Sequence, residues 1–239
     1  MSVLIWSLEW AVATHRRRLF ALNALIPLLL VGPIAFSSAP AQHAAAVYTV
    51  LFTIFGAFGS CIPLIRDAES GLLTRFTLAG ISPRSLLTQR VLAATSLDAV
   101  QLLPSLAVIA LASGNATAFG GVLAALLLTL VVANLLGVWA AAIARSSAEG
   151  ALFAAVSSLL LLHAAGTFRT PVAGSLGARL EALSPFRLLH EALLEVTGGP
   201  AIPGSVGLFQ PVLVAVGLVG ASFIAAHRIV AAPGRAIHG

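Results

Sequence analysis

Residues 66–84 read RDAESGLLTRFTLAGISPR. The stretch holds Arg66, Arg75 and Arg84 beside Asp67 and Glu69, in a chain with only 13 basic and 8 acidic side chains. On either side the sequence is almost wholly apolar: AAAVYTVLFTIFGAFGSCIPLI precedes it, and a long apolar run follows from Leu86. After the two acids, apolar residues fall at Leu72, Leu73, Phe76 and Ala79, the spacing of one helical face. We therefore expect a short amphipathic helix, bounded by a polar turn at 66–71 and by Gly80 to Pro83. Two readings follow. The segment is either an ordinary charged loop between two buried runs, or a helix on which something in the cytosol presses.

Composition decides the setting. Apolar residues make up 59% of the chain and charged ones 9%, whereas a soluble domain is about one quarter charged. An all-α integral membrane protein is the expectation. A helix needs about 20 apolar residues to cross the hydrocarbon core. Six runs qualify: 19–36, 44–65, 86–112, 117–144, 148–165 and 207–231. Pro27, Pro33, Pro63 and Pro104 fall inside them, which membrane helices tolerate when neighbours satisfy the freed carbonyls.

The basic residues are all arginine, and they orient the bundle. With the N-terminus inside, the inner segments carry Arg16, Arg17, Arg18, Arg66, Arg75, Arg84, Arg90, Arg145, Arg228 and Arg235. The outer segments carry only Arg169, Arg179 and Arg187. This positive-inside pattern puts both termini in the cytosol, and a bacterial inner membrane is the expected location. The arginines sit at the ends of apolar runs, so the basic balance speaks for membrane lipid and not for nucleic acid. The N-terminus does not read as a cleavable signal peptide, because three arginines precede the first long run. Cys61, the single cysteine, allows no intrachain disulfide and reads as a packed small side chain.

Other segments carry structural signals. Residues 1–18, MSVLIWSLEWAVATHRRR, place Trp6 and Trp10 on one helical face before the arginine triplet, as in a helix lying in the membrane interface. It is either a simple anchor or an elbow that passes movement to the first span. Ser82 before Pro83 is an N-cap with proline at the first helical position. Ser146 and Glu149 have capping-box spacing. Residues 166–206 are too charged to span and too apolar for a free loop. Gly166, Pro171, Gly174, Ser184-Pro185 and Gly198-Gly199-Pro200 cut this insert into short elements. Leu188, Leu189, Ala192, Leu193 and Val196 share a face behind Pro185. Re-entrant or outer-interface helices are expected, or an external cap without a part in transport. Asp98 is the one acid well inside a span, near Thr95, Ser96 and Gln101. It is either a structural hydrogen-bonding group or part of a pathway. His163 reads as a packed or interfacial histidine.

Signals for catalysis are missing from the sequence. A Walker A loop needs a lysine, and the chain has none. No HExxH or zinc-spaced cluster of cysteine and histidine occurs. His190-Glu191 and Glu195 lie in the insert with no second motif to close a site.

Three stretches resemble one family. RDAESGLLTRFTLAGISPRSLL resembles the acid-x-Gly segment that leads, in permease subunits of type-2 ABC exporters, through a short helix into span three. NLLGVWAAAIARSSAEGALFAAV resembles the family's turn between spans four and five. LSPFRLLHEALLEV resembles its proline–aromatic segment before span six. The resemblance covers nearly the full length, and the order of the parts is more specific than any one of them. Leu72 and Thr74 depart from it, since the family often has Thr or Ser at the first and an acid at the second.

The resemblance implies one permease domain over 1–239. It implies an interfacial helix at 1–18, a cytosolic coupling segment at 66–83 and re-entrant helices within 166–206. Glu69, Gly71, Leu72, Leu73, Arg75 and Phe76 would form the coupling contact. Asp98 and Gln101 would belong to a pathway or polar interior, and Pro171, Pro185 and Phe186 to the re-entrant segment. A separate ABC ATPase subunit would bind ATP and Mg, this chain holding no cofactor of its own. A second permease copy, more readily identical than different, would complete the path. Gly56, Gly59, Gly120, Gly121 and Gly137 would allow close helix approach. A permease like those of the haem-export and cytochrome c maturation system shares much of this layout. A proton-coupled carrier or an intramembrane enzyme would instead need Asp98 and His163 to act as a pair.

Overall fold

The computed structural model describes residues 4–115, 118–169, 172, 174–200 and 209–235. Among them it has ten α-helices and no strand. Six are long and apolar enough to span: α2 (Arg17–Ala35), α3 (Ala41–Glu69), α5 (Pro83–Ser113), α6 (Phe119–Ile143), α7 (Ser147–Ala164) and α10 (Phe209–Arg235, apolar through Val230). The four short ones are α1 (Leu4–His15), α4 (Leu72–Leu78), α8 (Leu176–Leu183) and α9 (Pro185–Val196). The chain is an all-α integral membrane protein, and its six spans match the six apolar runs. Pro171 and residues 207–208 lie outside the described residues.

The spanning helices alternate in direction, so α1, α4 and the start of α5 share one end of the bundle. The insert with α8 and α9 sits at the other, where the Thr197 hydroxyl donates to the Ala41 carbonyl at the start of α3. Helices α3 and α6 form the centre. Their backbones approach closely because small residues face each other: a Cβ on Gly137 would meet the Ala57 carbonyl oxygen at 2.1 Å, and one on Gly56 would meet Leu130 and Ala133. Gly59 makes room for Asp98 of α5. Gly150, which the sequence did not single out, lies against Ile65 and Cys61, and Cys61 is a buried thiol. Gly120 and Gly121 have open space around them and bring no helices together. Glycine there is a matter of the helix surface and not of packing.

The helix ends follow the capping signals. The Ser82 hydroxyl accepts from the Ser85 amide, with Pro83 at the first helical position. Ser146 Oγ accepts from the Glu149 amide, and the Glu149 carboxylate accepts in return from the Arg145 amide. One boundary differs. Arg66 to Glu69 are not a polar turn but the last turn of α3. Arg66 there complements the negative helix end, and Asp67 pairs across to Arg90. The turn itself is only Ser70 and Gly71. Gly71, at φ 71, takes the left-handed conformation that a side chain resists.

Candidate functional site

Helix α4 is held at both ends by left-handed glycines, Gly71 at φ 71 and Gly80 at φ 79. Its two faces differ. Leu73 is buried, and Phe76 packs partly into the same apolar cluster, which includes Leu64, Leu86 and Ile229. Thr74, Arg75 and Leu78 face outward, Leu78 being 83% exposed. The residues expected to form one contact surface thus divide. Leu73 and Phe76 fix the helix to the bundle, and Arg75 stands on the free face with Leu78, a residue that sequence spacing did not mark. Glu69 ends α3, and Gly71 and Leu72 begin the short helix.

At the same end of the bundle lies a buried ionic junction. Arg90 of α5, 3% exposed, pairs with Glu9 of α1 and with Asp67 of α3. Glu9 lies between the two tryptophans of α1, whose rings are 6.0 Å apart. Trp10 Nε1 donates to Ser96 of α5 at 3.0 Å, and the Ile5 amide donates to Gln89 Oε1 at 3.1 Å. The first helix is therefore bonded along α5 at three points. Helices α1, α3 and α5 thus meet at one guanidinium, close to the end of α3. Sequence reasoning counted Arg90 only as an orienting charge. The signal was available in its place inside the third helix and in a lone acid between two indoles.

Further into the bundle Asp98 is 5% exposed. Its carboxylate accepts from Asn134 Nδ2 of α6 at 2.9 Å, and Ser60 of α3 donates to Asn134 Oδ1 at 2.5 Å. The three polar groups tie α3, α5 and α6 together. Gln101, also buried, lines a cavity with Asp98. His163 is exposed and stacks on Phe168, with ring centroids 6.4 Å apart. Asp98 and His163 are thus not hydrogen-bonded to each other, and a mechanism that needs them as a pair lacks its link. Asn134 was legible only as a polar residue amid LLLTLVVANLLGVW.

At the opposite end, α9 is amphipathic, as its leucine face implied. Leu189, Leu193 and Val196 are buried, and Phe186 fills a pocket among Val132, Leu162 and Ala215. Pro185 opens the helix. The buried face also carries charge. Arg187 pairs with Glu181 at 3.5 Å and with Glu191 at 2.5 Å. His190 Nδ1 lies 3.4 Å from Thr49 Oγ1 of α3, whose hydroxyl donates to the Ala45 carbonyl at 2.7 Å. Burial holds the Glu181 carboxyl above the usual range, with Arg187 pulling it back. Burial likewise holds the His190 imidazole below its ordinary value.

Among the described residues no three His, Cys, Asp or Glu side chains converge to hold a metal ion. Six spans, a short helix joining the end of α3 to the start of α5, and an interior tied by polar side chains define a polytopic membrane protein. Residues 4–196 match the sequence model of the ABC-2 type transporter, and the chain belongs to that family. It is a transmembrane subunit of an ABC-type transporter. No curated protein matches it.

Proposed function

We propose that the chain is the export permease of an ABC transporter, one domain over residues 1–239, driven by a separate ATPase subunit that docks on α4. The observation that carries this reading is the division of α4. Its inner face, Leu73 and Phe76, is sunk in the bundle, and its outer face offers Arg75 and Leu78. A load on the outer face passes through the inner one to α3 and α5, the helices that Asp67 and Arg90 join. Coupling of this kind needs an element with two arrangements that both ends bias. Two six-span bundles meeting face to face supply it, and an identical second copy is the simplest arrangement. The segment 66–83 is then the coupling segment, residues 1–18 form the elbow, and 166–206 supplies re-entrant helices. The arginine distribution supports a bacterial inner membrane location with α4 and both termini facing the cytosol. ATP and Mg belong to the partner, and this chain does no chemistry of its own.

The test is capture of the ATPase encoded beside this chain. Tagged wild type should retain it in stoichiometric amount in detergent. Leu78→Asp and Arg75→Glu alter only the exposed face, so they should lose it while eluting as wild type on gel filtration. A wild type that is well folded and captures no ATPase would sink the reading.

A further inference from the structure

The junction of α1, α2, α3 and α5 encloses a cavity of about 430 Å³, within the roughly 300–1,000 Å³ typical of ligand sites. Its rim carries Arg16 and Arg66, both exposed. Among the described residues neither forms an ion pair, and the rim acid Glu9 is already taken by Arg90. The walls between are mainly apolar, with Leu19 and Phe20 on one side and Phe58 and Ile62 on the other, Asn23 and the paired Arg90 being their polar members. One wall is thinly backed. In α2 only Pro27 and Val31 are buried, so the half of that helix nearest α4 stands over the cavity without sinking into the bundle. Asp98 and Gln101 lie at the deeper end, Asp98 about 12 Å along α5 from Arg90.

We infer that this cavity holds one anionic phospholipid of the leaflet at the α4 end, its phosphate on Arg16 and Arg66 and an acyl chain along Phe20, Phe58 and Ile62. A gap with apolar walls, open past a lightly packed helix, is filled in a bilayer by hydrocarbon more readily than by water. Two unpaired guanidiniums at its mouth match a phosphate, which arginine binds through paired N–H groups. Basic pockets between spanning helices on the cytoplasmic side are a recurrent form of lipid head-group site. The direction is set by charge: the unpaired guanidiniums stand at the mouth, and the end at Asp98 and Gln101 offers no free cation, so the head stays at the arginines. The seat lies within one chain and asks nothing of an ATPase; it shares with the coupling proposal only the cytosolic placement of the α4 end.

The experiment is native mass spectrometry of the full-length chain alone, titrated with phosphatidylglycerol or phosphatidylcholine. One phosphatidylglycerol should bind per chain, at least tenfold more tightly than phosphatidylcholine. R16Q/R66Q should erase that preference, whereas R17Q/R18Q, which removes the same charge from residues off the cavity, should keep it. Ala13→Phe, directed into the cavity from α1, should lower retention of the lipid with both arginines intact. Gel filtration checks the fold of each variant. Absence of head-group preference in the wild type would overturn the inference. So would equal losses in the two arginine pairs, which reduce the effect to general attraction of basic residues for acidic lipid. Full retention in Ala13→Phe would place the lipid elsewhere and overturn it too.

Discussion

At the scale of single residues, the tightest point is Gly137, whose position admits no Cβ without a clash against the Ala57 carbonyl. The obstacle is backbone, so relief requires α3 and α6 to separate. Gly137→Val should cost on the order of 3 kcal/mol, read as a fall in the thermal midpoint of the detergent-purified protein. Arg90 is governed by electrostatics. Truncation to alanine leaves Glu9 and Asp67 facing each other without their cation, and breaking a buried pair costs about 3–5 kcal/mol. Both carboxylates keep some water, so the lower end applies. Glu9→Gln, which removes one of two acids on a single cation, should cost much less than Arg90→Ala in the same measurement. His190 adds a pH term outside the spanning helices. Its folded pKa is lowered by burial from an ordinary 6.5, so the folded state favours the neutral ring. The stability it contributes is complete above pH 6.5 and is lost as pH falls through the folded pKa. Glu181, held above its ordinary value, acts in the opposite sense. A comparison of wild type with His190→Gln isolates the histidine: the thermal midpoint of the variant should fall less between pH 7 and pH 5.

At the scale of elements, α4 is a seven-residue helix, too short to persist by itself. It exists because Leu73 and Phe76 are docked and because two glycines turn the chain at its ends. Left-handed conformation costs a non-glycine residue roughly 1–2 kcal/mol. Gly71→Ala and Gly80→Ala should each loosen α4, measured as faster hydrogen exchange at Thr74 to Leu78 with α3 and α6 unchanged. The elements were legible in the sequence because each carries its own signal. Apolar runs gave the spans, Ser82-Pro83 and Ser146 gave helix starts, and the leucine spacing behind Pro185 gave α9. The end of α3 was not legible, since Arg66, Asp67 and Glu69 look like a turn until Arg90 is known to receive Asp67. The polar sites were hidden for the same reason. Glu9 with Arg90, Ser60 with Asn134 and Thr49 with His190 are each separated by more than seventy positions, and no local pattern announces such partners. The split of α4 into an anchored and a free face was half visible: spacing found its apolar stripe, but only packing tells which leucine is left outside.

At the scale of the whole molecule, the arrangement of charge and the arrangement of helices make one joint claim that can be measured directly. Six spans put α4 and the α1–α2 elbow at one end, and α8 and α9 at the other. The arginines concentrate at the first end, and by the positive-inside rule the proposal expects that end in the cytosol. A docking site for an ATPase has to be there, so the coupling proposal and the orientation depend on the same fact. The chain is well suited to the test. Its single cysteine, Cys61, is buried against Gly150, so background labelling by a membrane-impermeant maleimide should be slight. Leu78→Cys reports the free face of α4, and Ser38→Cys reports the exposed turn between α2 and α3. In sealed right-side-out vesicles only Ser38→Cys should label. In inverted vesicles only Leu78→Cys should. The reverse pattern would leave the fold intact but put α4 beyond the reach of any cytosolic ATPase, and the export mechanism would have to be abandoned while the six-span bundle stood. Labelling of both sites from one side would contradict the alternation of the helices themselves.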